Sequence, residues 1–218
     1  CGNHGQRVGN YSFPKFLPLV KGSGYSAHMW GMGTLLLPIT NNYIGEESSP
    51  SIANKYNSDN KFSIEIWVYL KTPNVDCDIF YSDSDVESGA HSVGLAYRNN
   101  AIYFNINDSI IAGSVDDIEE ALYIVAVYNK ESIELYINGK LKGSTTLNNF
   151  IFQNDIFNNM IVGGTIYSEM LVDCPAIYRY ALSESIILNH YNIAKSSPAS
   201  QIVFPENGTL FTGSDFEV

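Results

Sequence analysis

The stretch from Leu122 to Gly143, LYIVAVYNKESIELYINGKLKG, leaves a chain few ways to fold. Ile133, Leu135 and Ile137 alternate with Glu134 and Tyr136. That period is two rather than about 3.6, so the three aliphatic side chains share one face of a strand. Leu122 to Tyr128 is apolar at every position and rich in β-branched and aromatic residues, which predicts a central strand covered on most of both faces. Asn138-Gly139 supplies the two residues that accept positive φ in a type I′ turn, and Lys140-Leu141 begins the return strand.

Other segments carry the same alternation. Lys61 to Leu70 puts Phe62, Ile64, Ile66, Val68 and Leu70 on one face. Trp30 to Pro38, Ile79 to Tyr81, Val93 to Tyr97, Ala101 to Ile106 and Met160 to Val162 are predicted strands, with Asn99-Asn100 as a hairpin turn. Ser183 is placed to cap one short helix, Glu184 to Asn192, in which Ile187 and Tyr191 lie one turn apart. The pattern predicts two antiparallel sheets packed face to face, with Phe62, Ile64, Ile66, Val125, Val127, Leu135, Ile137 and Ile161 in the core.

Three of these segments carry a family resemblance. Phe62 to Val68 is similar to an early "FTIExWV" strand, the hairpin to "VAVxY" followed by "LYxNGxL", and Asp173 to Ser183 to a late "DxxxIYxxxLS" exit into a short helix. In that order they resemble the laminin-G-like, concanavalin A-like lectin domains over roughly residues 60 to 192. Leu122-Tyr123 stands where that family often has Trp-His, a change that keeps the packing role. The resemblance implies an all-β antiparallel β-sandwich jelly roll with one short helix.

A length of 218 residues suits one such domain. The expected organisation is an N-terminal arm over 1–25, a sandwich over 26–195 and a C-terminal linker or docking strand over 196–218. Prolines in Phe13-Pro14 and Leu17-Pro18 favour an extended arm or edge segment, since proline cannot donate to a sheet ladder. Cys1 reads as the cut end of a longer protein or as the lipidated first residue of a mature lipoprotein; the unfinished strand at the other end favours the longer protein. Cys77 and Cys174 lie where a disulfide between neighbouring strands and two free thiols are both open readings.

Charged residues make up only 16% of the chain, so Asn, Ser, Thr and Tyr must finish the surface, as in extracellular, cell-surface or virion proteins. With a net charge of −11 and no block of Lys or Arg, the chain lacks what a phosphate backbone requires, which excludes nucleic acid as an expected partner. No apolar stretch approaches the roughly 20 residues of a membrane helix.

Catalytic patterns are missing. Sandwich glycosidases need two facing carboxylates, and no E-x-D-x-x-E strand occurs. Glu65 and Glu134 are single carboxylates on apolar strands, expected to be solvent-facing or paired. His4, His28, His91 and His190 have no metal-ligand spacing, and there is no G-x-S-x-G elbow or phosphate-binding glycine loop. Calcium is the one cofactor the sequence offers ligands for. Asp76 and Asp78, followed by Asp83 and Asp85, concentrate carboxylates in one loop region, and Asp173 matches an acidic position that lies near a metal in some members of the family it resembles. An ordinary Asp/Ser turn accounts for the same loop.

Carbohydrate binding is what the resemblance most directly implies. Trp30, Tyr43, Tyr56 and Tyr97, in or beside predicted loops, are the stacking candidates, although many of the fifteen tyrosines must be surface residues in any case. Two expectations follow. The first is a non-catalytic structural or adhesive module of a larger assembly, such as a phage appendage, capsid decoration or bacterial surface protein, contacting neighbouring subunits, flanking domains or cell-surface glycans. The second is a carbohydrate-binding module of a secreted or lipid-anchored glycan-capture protein. A degenerate glycosidase rests on fold analogy alone.

Overall fold

A computed structural model describes residues 6–8, 11–12, 27–30, 34–38, 61–82, 93–116, 118, 120–147, 159–163, 168–178 and 180–196. The strands in chain order are β1 (Gln6–Val8), β2 (Tyr11–Ser12), β3 (Ala27–Trp30), β4 (Thr34–Pro38), β5 (Phe62–Leu70), β6 (Cys77–Ser82) and β7 (Val93–Arg98). They continue with β8 (Ala101–Ile106), β9 (Ser109–Ser114), β10 (Leu122–Tyr128), β11 (Ser132–Ile137), β12 (Lys140–Thr146), β13 (Asn159–Gly163) and β14 (Glu169–Tyr178). Helix α1 (Glu184–Ser196) follows, running past the expected end at Asn192.

Among the described residues the strands form two seven-stranded sheets. The first has the order β1-β4-β13-β6-β7-β8-β9 and the second β12-β11-β10-β5-β14-β3-β2. Every pairing is antiparallel, as in the expected sandwich. Trp30 to Pro38, expected as one strand, falls in two: β3, ending at Trp30, belongs to the second sheet and β4, starting at Thr34, to the first. Part of the proline-rich start is edge strand, since β1 pairs with β4 and β2 with β3.

The main core lies between the sheets. Phe62, Ile64, Ile66, Val68 and Leu70 of β5, Ile133, Leu135 and Ile137 of β11, and Val93, Leu95 and Tyr97 of β7 all belong to it. A second apolar cluster covers the outer face of the second sheet, where Ile187 and Ala194 of α1 pack on Trp67, Tyr123, Val125, Val127 and Tyr136. Val125 and Val127 are thus buried as expected, but beneath the helix rather than between the sheets. Ile161 lies in β13 opposite Leu36 and Tyr81, and its side chain is outside the described set.

Two local devices set the path to α1. In β14 the register slips between Asp173, opposite Trp67, and Ala176, opposite Glu65. The extra residue reverses the alternation. Before it Leu171 faces the outer cluster and Val172 the inner core; beyond it Ile177 packs inward and Tyr178 outward. The buried Ser63 then clasps the exit, donating from Oγ to the Tyr180 carbonyl at 3.0 Å and accepting from the Leu182 amide at 2.9 Å.

Candidate functional site

A cleft of about 360 Å³ opens at one end of the sandwich, lined by Pro73, Asn74, Asp76, Tyr97, Asn99 and Asn100. Its two walls are far apart in sequence and are joined by pairing. Cys77 of β6 lies opposite Tyr97 of β7, so the β5–β6 loop comes to rest beside the β7–β8 turn. Asn99 and Asn100 hold φ of 48° and 60°, as a two-residue type I′ hairpin requires, and asparagine tolerates that conformation better than most residues.

The cleft is braced from below. The Tyr97 hydroxyl lies 2.7 Å from the Pro73 carbonyl oxygen and 2.8 Å from Asn100 Oδ1, and donates to one or the other. The Asn99 amide donates to Asp76 Oδ1 at 3.2 Å, tying the turn to the loop. Arg98 forms an ion pair with Asp78 and donates to the Tyr97 carbonyl at 2.8 Å. On the other side Lys71 pairs with Glu169, and the Glu169 amide donates to Thr72 Oγ1 at 2.8 Å, fixing the loop to the start of β14. Burial first, then the neighbouring Cys77 and Asp76, push the Tyr97 hydroxyl above its usual range, so it stays a proton donor at neutral pH.

A second polar cluster lies under α1. Glu65 is 9% exposed on the outer face of β5. It accepts from the Tyr123 hydroxyl at 3.0 Å, and His190 Nδ1 sits 3.2 Å from its Oε2 and 3.3 Å from its Oε1. Tyr178 also faces the same carboxylate. Burial and then the Glu65 charge push both Tyr123 and Tyr178 well above the usual tyrosine range. Rings of Trp67, Tyr123 and Tyr191 stack around the group, with centroids 5.0 to 6.1 Å apart. Glu134 is held similarly, by the Tyr136 hydroxyl at 2.8 Å. Both acids are therefore paired, one of the two roles expected for them.

The structure places the expected site residues in different surroundings. Tyr97 lines the cleft, but it is 1% exposed and presents its hydroxyl, so its ring has no free face for a sugar to stack on. Trp30 ends β3 opposite Glu169, and its side chain is outside the described set, as are Tyr43, Tyr56, Asp83 and Asp85 altogether. Asp173 is buried at the β14 bulge, 4% exposed. Among the described residues no three His, Cys, Asp or Glu side chains come together as a metal site. Cys77 and Cys174 are not joined by a disulfide: the first is buried in the first sheet and the second exposed in the second sheet.

Asp76 belongs to the carboxylate-rich region read from the sequence, whereas Asn74 and Asn99 carry no ligand signal of their own. Each reads locally as a turn residue, and only the β6–β7 register brings them to one opening.

Solved structures share this architecture. The receptor-binding domain of the botulinum neurotoxin C/D mosaic serotype aligns with a TM-score of 0.67 at 14% identity, covering 88% of this chain and 47% of its own. The binding domain of botulinum neurotoxin DC in complex with SialylT gives 0.63 at 17% identity, with coverages of 86% and 45%. Botulinum neurotoxin type C, whose cell entry is dependent upon interaction with two ganglioside molecules, gives 0.64 at 15% identity, again with 86% and 45%. The chain thus spans a little under half the length of these structures. No curated protein matches it in sequence. A family model does, over residues 45–188, a span that takes in β5, the hairpin and the start of α1, and by that match the chain belongs to the concanavalin A-like lectin/glucanases superfamily.

Proposed function

We propose that this chain is a non-catalytic binding module of a larger surface or virion assembly and that it recognises glycan. The observation that carries the reading is the braced cleft, where exposed Asn74 and Asp76 of the β5–β6 loop and Asn99 and Asn100 of the β7–β8 turn are tied together by hydrogen bonds, as a recognition site requires. The fold it shares with toxin receptor-binding domains, one of them described with gangliosides, supports the same class of ligand. Glu65 and Glu134 support the absence of hydrolysis, because each is engaged by a tyrosine hydroxyl within the fold. The test is a glycan array probed with the labelled chain, together with an assay for released reducing sugar. Saturable binding without cleavage is the expected result. Cleavage lost in Glu65→Gln or Glu134→Gln overturns the non-catalytic part, and an array without any bound glycan overturns the glycan part.

A second reading, contact with a neighbouring subunit or flanking domain of the same assembly, is favoured by the exposed Ile186, Leu188 and Ile193 on α1 and by Tyr180 beside it. Chemical cross-linking of the intact assembly, with α1 peptides recovered joined to another polypeptide, tests it. No helix among the described residues is long and apolar enough to cross a membrane.

A further inference from the structure

We infer that the cleft between the β5–β6 loop and the β7–β8 turn takes a neutral, hydroxyl-rich saccharide and rejects an anionic one. The inference rests on the binding-module reading and adds to it a place and a charge preference.

The lining decides the chemistry. Asn74, Asn99 and Asn100 each carry a side-chain amide with one acceptor oxygen and two donor hydrogens. Sugar hydroxyls, which donate and accept at once, match such groups. Among the described residues the side-chain amides of Asn74 and Asn99 have no hydrogen-bond partner, so both are available to a ligand. Asn100 presents its oxygen to Tyr97, which leaves its amide hydrogens for the opening. The cleft volume of about 360 Å³ falls at the small end of the range for small-molecule sites, roughly 300 to 1,000 Å³.

Charge decides the preference. Asp76 is exposed and has no cation partner among the described residues, whereas nearby Asp78 is neutralised by Arg98. The lining contains no Lys or Arg, and the whole chain carries −11. A sialylated or sulfated sugar would bring its charge against Asp76 with no cation among the described lining residues to offset it, and like charges at close range are repulsive. One carboxylate is also too few for calcium, which takes about six to eight oxygen ligands.

The test uses an immobilised panel of neutral oligosaccharides and the same oligosaccharides capped with sialic acid. Asn74→Ala and Asn99→Gly remove the two free amides; glycine keeps the positive φ at position 99. Combined, they should weaken neutral binding at least tenfold with the thermal midpoint unchanged. Asp76→Asn keeps the oxygen that accepts from the Asn99 amide. It should raise binding of the capped sugars relative to the neutral ones.

Amide chemical shifts of the unmutated chain titrated with a bound neutral oligosaccharide give a readout independent of the variants, and residues 74, 76, 99 and 100 should move most. Neutral binding unchanged in the double variant, or shifts centred elsewhere, overturns the site and leaves the glycan reading standing. Tighter binding of the capped sugars by the unmutated chain, or no gain of capped-sugar binding in Asp76→Asn, overturns the charge preference. A panel with no bound glycan at all removes both the site and the reading beneath it.

Discussion

The Tyr123 hydroxyl donates to Glu65 Oε1 at 3.0 Å beneath α1, on the sheet face that does not meet the other sheet. A carboxylate can be buried there because Tyr123, Tyr178 and His190 surround it with polar atoms. Tyr123→Phe keeps the ring stacked on Trp67 and Tyr191 but withdraws one donor from the buried acid. The expected cost is about 1 to 3 kcal/mol in urea unfolding. Glu65→Gln in the Tyr123→Phe background should recover part of that loss, because an amide is less costly to leave underpaired than a charge. A Tyr123→Phe variant as stable as the parent would show that the hydrogen bond is dispensable.

Alkaline pH should unfold the chain from a defined point. Burial raises the Cys77 thiol from 9.0 to about 12, and Tyr123, Tyr136 and Tyr178 are raised above their ordinary value of 10.0. Above pH 9 the unfolded chain releases protons that the folded chain keeps. The contribution of each raised group is complete below its unfolded pKa and is lost as pH climbs through the folded one. Stability should therefore fall from pH 9 upward, by at most about 1.4 kcal/mol per pH unit for each group. Cys77→Ala should lower the baseline yet flatten the curve between pH 9 and 10, before the tyrosines enter. An identical slope in parent and variant would rule Cys77 out as the group responsible.

The two thiols should separate cleanly in reactivity. Cys174 is exposed at the β14 bulge with φ of 46°, whereas Cys77 is buried at the start of β6. Alkylation followed by peptide mapping should label Cys174 in the native protein at neutral pH. Cys77 should be labelled only when denaturant is added. Equal labelling of both without denaturant would contradict the burial of Cys77.

Much of this fold can be read from alternation, and the misplacements occur where alternation stops. Ile133, Leu135 and Ile137 alternate with polar or amphipathic neighbours, and all three point into the main core as read. Leu122 to Tyr128 is apolar throughout, so nothing local distinguishes the face meeting the other sheet from the face beneath α1, where Val125 and Val127 lie. For Tyr97 the signal was present. It shares parity with Val93 and Leu95, and that spacing places its ring in the core despite the turn that follows. The cleft could not be read, because its two walls meet only through the pairing of β6 with β7. Nor could the polar cluster at Glu65. It needs the β14 bulge to turn Tyr178 outward and a helix 125 residues away to bring His190 over the sheet.

Where the two sheets converge, β9 packs against β11 and β12, and the approach is close enough to require glycine. A Cβ on Gly113 would sit 2.6 Å from Lys142 Cβ, 3.1 Å from Ile137 Cδ1 and 3.3 Å from Leu135 Cδ2. The first of these atoms is fixed to the backbone of β12 and cannot rotate away. The other two belong to core side chains with no room to retreat. Gly113→Ala must therefore push the sheets apart along this side, at an expected cost of about 1 to 3 kcal/mol. Gly94 provides the contrast. A Cβ there also meets an atom at 2.6 Å, but that atom is Oδ1 of Asn105, the far end of a side chain that can turn. Gly94→Ala should accordingly cost less than Gly113→Ala, although the nearest contact is equally short. Urea unfolding of the two variants decides the matter: equal losses, or a larger loss at Gly94, would mean that Lys142 and its strand yield more readily than the packing of β9 against β12 implies.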